Sequence, residues 1–137
     1  MGRRAVCSGS ATRLASSALC ALLLAWLHAA AQEKHPSVRL LVQSSPLAGF
    51  RYHAAAEVWD ELRVGERLEL AREPGNPHDA NAVSVSWRGR KLGYVPRREN
   101  AALAWGLDRG EPLRAHISRL SRHPNPARRI EFEVYVE

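Results

Sequence analysis

Hydrophobic and polar residues alternate through most of the chain from Arg67 onward. Leu68 and Leu70 alternate with Arg67 and Glu69, and Val83, Val85 and Trp87 alternate with Ser84 and Ser86. A period of two puts one set of side chains on one face of an extended strand, so both runs predict strands. Lys91–Val95 predicts the partner of the second run across a short Arg88-Gly89-Arg90 hairpin connection, and Pro96 ends it. Leu113, Ala115 and Ile117 predict another strand. The clearest is the last, with Ile130, Phe132, Val134 and Val136 on one face and Glu131, Glu133, Tyr135 and Glu137 on the other. Val38–Val42 is apolar enough for a first strand, with a turn expected over Gln43–Pro46.

The period lengthens twice. Ala55, Val58, Trp59 and Leu62 stand at i, i+3, i+4 and i+7, which predicts a helix closed by Val64-Gly65. Arg98–Arg109 predicts a second, with Asn100, Leu103 and Leu107 along one side and Gly110 as its stop. Trp59, Trp87 and Trp105 are expected in packing. Six short strands with single apolar faces must close or stack to hide their edges, so the expected architecture is mainly β: a small six-stranded barrel with two packed helices.

Between the alternating runs lies Arg72–Val83, read Arg-Glu-Pro-Gly-Asn-Pro-His-Asp-Ala-Asn-Ala-Val. Pro74 and Pro77 remove backbone donors and fix φ, while Gly75 and Asn76 tolerate left-handed conformations. Asp79 and Asn81 can turn back onto nearby amides and hold such a loop without a hydrophobic filling. A stiff loop of this kind presents Asn76, His78 and Asp79 in a fixed arrangement. A second exposed loop, with Pro124-Asn125-Pro126, is expected over Ser121–Arg128.

Composition changes this picture mainly at the start of the chain. Arg3, Arg4 and Arg13 precede or begin an apolar run of 14 residues, Leu14–Leu27, and Ala29-Ala30-Ala31 offers small residues before Gln32. The run is shorter than the roughly 20 residues of a bilayer span. A cleaved leader over residues 1–31 is therefore expected, which would make the domain at 32–137 periplasmic or secreted and not a membrane protein. An uncleaved membrane anchor over residues 14–27 and a misread start are the rival readings. Both cysteines, Cys7 and Cys20, fall inside the leader. Residues 32–137 then have no thiol for a disulfide, a nucleophile or a metal site. They carry 17 basic and 14 acidic residues, a net of +3 against +6 for the whole chain. That mild excess is compatible with a polyanion partner without requiring one. The basic residues are unevenly spread: Arg88, Arg90, Lys91, Arg97 and Arg98 fall within eleven positions.

Catalytic chemistry finds little support. No Gly-x-x-x-x-Gly-Lys phosphate loop occurs, and His35, His53, His78, His116 and His123 lack ligand spacing, so no cofactor or metal is expected. His78-Asp79 are adjacent in a proline-stiffened loop, poorly placed as a base and its orienter, so no enzyme activity is expected.

Four motifs occur in order: Gly49-Phe50-Arg51-Tyr52, Val64-Gly65-Glu66, Arg72-Glu73-Pro74-x-Asn76-Pro77-x-Asp79-x-Asn81-Ala82-Val83, and Leu92-Gly93-Tyr94-Val95-Pro96. Together, from about Val38 to Leu120, they resemble the HIRAN domain. The resemblance implies an OB-like β-barrel with packed helices. It also implies nucleic-acid binding, since HIRAN domains fused to helicase-type remodelling enzymes capture the free 3′ end of single-stranded DNA. Carried over residue by residue, Tyr52 would stack on a base and Arg51 would meet a phosphate. Asp79 would accept a hydrogen bond from the terminal 3′-hydroxyl, Asn76 would help hold that pocket, and Arg97 would meet phosphates. DNA-binding members carry a Tyr beside the Asp where this chain has His78, a smaller face that gains charge near neutral pH; Tyr94 is a candidate to compensate. Other readings stand beside these. Tyr52 could be half-buried in the barrel wall, Asp79 a turn residue capping loop amides, and Arg88, Arg90 and Lys91 a solvated hairpin tip. In place of a stand-alone binder of a nucleic-acid end, the chain could be an exported, non-catalytic adaptor that binds a protein or an envelope polymer.

Overall fold

In the computed structural model, residues 38–136 are described. The leader expected over residues 1–31, with its anchor alternative over 14–27, lies outside the described residues. Six strands form one antiparallel sheet: β1 (Leu40–Pro46), β2 (Arg67–Arg72), β3 (Val83–Trp87), β4 (Arg90–Tyr94), β5 (Leu113–Leu120) and β6 (Ile130–Val136). Their spatial order is β1-β6-β5-β2-β3-β4. β2 serves two neighbours, since Arg67 and Leu68 pair with His116 and Ala115 of β5 while Glu69–Arg72 pair with β3.

The sheet closes on itself just past β1. The Leu47 amide donates to the Ile130 carbonyl of β6, and one residue later Ala48 exchanges two 2.9 Å backbone bonds with Tyr94 of β4. Gly93 makes this approach possible. A Cβ there would stand 2.1 Å from the Ala48 carbonyl oxygen and 3.1 Å from Leu47 Cγ. Any larger residue would push the two backbones apart. The chain then turns at Gly49, whose φ of 80° is left-handed, into a 3₁₀ turn over Phe50–Tyr52.

The alternating runs face the interior as expected. Val83, Val85, Ala115, Ile117, Ile130, Phe132 and Val134 are buried, together with Trp87. The β3–β4 connection is a two-residue turn, with φ of 49° at Arg88 and 77° at Gly89. Positive φ at both positions matches the twist of the flanking strands.

Several expectations change. β1 runs through the supposed turn as far as Pro46, because Gln43–Pro46 pair with Val134–Glu131 across a bulge after Leu41. Only one of the two expected helices is regular: α1 (Ala101–Asp108), entered through a 3₁₀ turn over Arg97–Glu99. The stripe at Ala55, Val58 and Leu62 is buried, and Trp59 packs edge-on against Phe50 at 5.7 Å. Its backbone makes separate turns, with Val58 bonded to Ala54 and Leu62 to Val58, not a continuous ladder. The apolar period reported which side chains point inward, not whether the backbone bonds form a continuous helix. Trp105 is 59% exposed on α1 instead of packed.

Candidate functional site

The loop of residues 73–82 joins β2 to β3 at one end of the barrel. Arg72 clamps its base: Nε and Nη2 donate to Asp108 of α1 at 2.9 and 3.2 Å, and Nη1 donates to the Ala82 carbonyl at 3.0 Å. Inside the loop, the Asn76 Oδ1 accepts from the His78 amide at 3.0 Å and Asp79 Oδ1 accepts from the Asn81 amide at 2.9 Å. Asparagine and aspartate here do what their short polar side chains favour, turning back on the backbone two residues ahead. Pro74, Gly75, Pro77 and His78 are exposed, so polar bonds rather than a core hold the loop.

Asp79 is the best-organised acid of the site. Its second oxygen accepts from the Asn100 amide group at 2.7 Å. That bond, then the Asn81 amide, then the charges of Arg97 and Arg72, hold the carboxyl below its ordinary pKa. Asp79 is thus a carboxylate at neutral pH, accepting only, with one bond on each oxygen and room for more. Asn100 explains how. It is buried at the N-terminus of α1, where an asparagine ordinarily caps the helix amides, yet it makes no capping bond. Its side chain serves Asp79 instead. In the sequence Asn100 reads only as one position of a helix face; a polar residue on an apolar stripe was the available signal.

Glu73 ties this loop to β4. Its carboxylate accepts from Lys91 Nζ at 2.5 Å and from the Tyr94 hydroxyl at 2.8 Å, with Asn76 Nδ2 at a long 3.5 Å. The Lys91 bond is the main reason the Glu73 pKa is lowered, and the same bond is the main reason Lys91 is raised. Tyr94 is partly buried: Lys91 Nζ lies beside its hydroxyl, 4.8 Å from the ring centroid, and the His53 ring meets it in a T-shaped pair at 5.3 Å. Burial, followed by the Lys91 charge, lowers the His53 pKa, so its imidazole is neutral at pH 7. Tyr94 therefore supports the loop through its hydroxyl.

The hairpin tip is not the free basic patch its composition suggests. Arg88 pairs with Glu66 at 3.0 Å, Arg90 pairs with Glu57, and Lys91 is held by Glu73. Arg51 and Arg97, by contrast, are exposed and in no ion pair among the described residues. Arg51 is an open cation of the kind a phosphate would find, and Arg97 lies within electrostatic reach of the Asp79 carboxylate.

Arg51 and Tyr52 stand on the 3₁₀ turn that follows the barrel closure. Tyr52 is 85% exposed, which settles its place outside the barrel wall. The turn and the β5–β6 connection form a cleft of about 270 Å³ lined by Gly49–Tyr52 and Asn125–Ala127. Asn125, Pro126 and Ala127 thus join the site, although their distance in sequence from every motif hid them. The expected residues fall into two groups. Arg51 and Tyr52 share the cleft; Asn76, His78, Asp79 and Arg97 surround the loop and the entry to α1. Tyr94 and Glu73 lie between them.

A small closed β-barrel with an aromatic turn, free cations and a fixed carboxylate at its loops defines a binding domain. The family model of the HIRAN domain matches residues 40–137, and the chain belongs to that family. The match extends past Leu120 to include β6. The chain is 35% identical over 63 residues to a helicase-like transcription factor of Oryctolagus cuniculus and 33% identical over 63 residues to one of Mus musculus. Each match covers 45% of this chain and 6% of the relative, so the chain spans a small part of their length. Among solved structures, a protein from Lactobacillus plantarum superposes with a TM-score of 0.64 at 29% identity, covering 72% of this chain and 95% of that one. The HIRAN domain of human HLTF superposes with a TM-score of 0.52 at 20% identity over 72% of this chain and 80% of that one, a likeness of fold.

Proposed function

We propose that this HIRAN domain is a nucleic-acid-binding module that takes the free 3′ end of a single strand. In this reading a base lies on the Tyr52 ring in the cleft walled by Pro126, Arg51 and Arg97 meet phosphates, and the terminal hydroxyl donates to Asp79. His78, exposed beside Asp79, contributes a small stacking face. The observation that carries the reading is Asp79, kept ionised by Asn100 and the Asn81 amide and flanked by the unpaired Arg97. An internal nucleotide has no 3′-hydroxyl to donate there, and a 3′-phosphate would bring a negative charge against the carboxylate.

Fluorescence anisotropy of the purified protein with short labelled strands tests this. A 3′-hydroxyl strand should bind about tenfold more tightly than its 3′-phosphate counterpart, and Asp79→Ala should remove that preference. Tyr52→Ala should weaken both strands by about 1–3 kcal/mol with no change in melting temperature. Equal binding of both ends, lost with added salt, would reduce the site to a basic surface. The adaptor reading draws on different residues: Val38, Leu40, Leu41 and Val42 are 88, 68, 57 and 44% exposed at the start of β1. An exposed apolar stretch, interrupted only by Arg39, is a surface for a protein partner.

A further inference from the structure

Glu73 and Lys91 touch neither the cleft nor Asp79, yet each joins the elements that carry them. Glu73 is the first residue after β2. Its amide donates to the Ala82 carbonyl at 2.9 Å, and its own carbonyl accepts from the Asn76 amide at 3.0 Å, so its backbone closes the loop. Its carboxylate then crosses to β4, to Lys91 and Tyr94. From those two residues the contacts continue into the aromatic turn. The Tyr94 backbone holds Ala48, immediately before Gly49, and the Lys91 carbonyl accepts from the Ala54 amide at 3.0 Å, immediately beyond His53. Lys91 Nζ also donates to the Tyr94 hydroxyl at 3.0 Å, which completes a triangle. The turn with Arg51 and Tyr52 is thus gripped at both ends by the same two residues that hold Glu73.

We propose that the Glu73–Lys91–Tyr94 triangle is a positioning device that sets the Asp79 loop at a fixed distance from the Tyr52 turn, so that one strand end engages both. This rests on the end-binding reading above. The triangle is charge-balanced and adds no attraction for phosphate, so its contribution is geometric. The exposed prolines and Gly75 give the loop no apolar anchor to replace it. Discrimination between strand ends needs the base and the hydroxyl acceptor at the correct separation; general attraction to a polyanion does not. Loosening the triangle therefore removes selectivity and leaves general affinity.

Glu73→Gln keeps the shape and one acceptor but abolishes the ion pair, and Lys91→Met abolishes it from the other side. Two readouts are taken on each variant. Without ligand, hydrogen exchange of the His78, Asn81 and Ala54 amides should quicken about tenfold while the β5 and β6 amides keep their protection. With ligand, the ratio of 3′-hydroxyl to 3′-phosphate affinity should fall about tenfold, while the 3′-phosphate strand binds within about twofold of wild type. The exchanged pair Glu73→Lys with Lys91→Glu should recover part of the ratio. A purely structural role would weaken both strands equally, and that result overturns the proposal. Unchanged exchange in both variants also overturns it. If the wild-type protein shows no end preference, the end-binding reading fails, and exchange alone decides whether the triangle couples loop to turn. If Glu73→Gln fails to fold, Lys91→Met, which leaves the Tyr94–Glu73 bond in place, decides.

Discussion

Two loops of this barrel contain the same dipeptide and make the same local turn, yet they are held in different ways. In the loop of residues 73–82, Asn76 precedes Pro77 and its Oδ1 accepts from the His78 amide at 3.0 Å. In the β5–β6 loop, Asn125 precedes Pro126 and its Oδ1 accepts from the Ala127 amide, also at 3.0 Å. Beyond that bond they diverge. The first is tied to β4 through Glu73, to α1 through Arg72, and to the helix entry through Asp79 and Asn100. Hydrogen bonds of the second stay within residues 121–129, with Asn125 N on His123 Nδ1 and Arg129 Nε on the His123 carbonyl. Its outward contacts are Arg129 above the Phe50 ring at 5.3 Å and an exposed Arg122–Asp60 pair at 3.6 Å. Local turn chemistry shapes both loops. Only long-range polar contacts make the first a rigid holder of charge, while the second is a wall of the cleft.

The largest expected effect breaks the frame on which both loops depend. Gly93→Ala forces the Ala48 carbonyl away from β4 and should cost about 3 kcal/mol in urea unfolding, the upper part of the overpacking range, because backbone rather than a flexible side chain must yield. Little loss there would mean that the barrel closure tolerates separation. A paired substitution then sharpens the comparison. Asn76→Ala and Asn125→Ala delete the same local bond, but Asn76 also reaches Glu73. The first should cost about 1 kcal/mol and the second at most about half of that. Equal costs would show that anchoring adds nothing to the turn.

The smallest effect is a pH dependence confined to the anchored loop. Glu73 has a lowered pKa, so its contribution is complete above the unfolded value near 4.5 and is lost as pH falls through the depressed one. Lys91 has a raised pKa, so its contribution is complete below the unfolded value near 10.5 and is lost as pH rises through the elevated one. The stability difference between wild type and Glu73→Gln should therefore be flat from about pH 5 to 10 and decline progressively on either side of that window. Its plateau should be about 0.5–1 kcal/mol, because the pair is partly solvated. Thermal unfolding of both proteins across the pH range measures it, and a difference that does not shrink as pH falls below 4.5 would separate Glu73 from the ion pair.

Much of this molecule was legible without coordinates because it depends on neighbours in the chain. Alternation marked β3, β5 and β6, since their apolar faces are buried, although Ser84 and Tyr135 on the opposite faces of β3 and β6 are buried too. Pro, Asn, Asp and Gly marked the loops, because their φ preferences and short side chains act within two or three residues. The spaced motifs identified the family and, with it, Arg51, Tyr52, Asn76, His78, Asp79 and Arg97 as candidates. What escaped depends on partners brought together by packing. The Gln43–Pro46 segment became strand because β6 was available to pair with it. Lys91 read as one cation of a solvated tip until β4 placed it against Glu73, 18 residues away. Asn100 read as part of a helix face until the barrel set it beside Asp79, 21 residues away. Local preferences are properties of a few consecutive residues and can be read in order. A hydrogen bond between distant side chains exists only where closure at Gly93 and the packing of α1 have already set the distance.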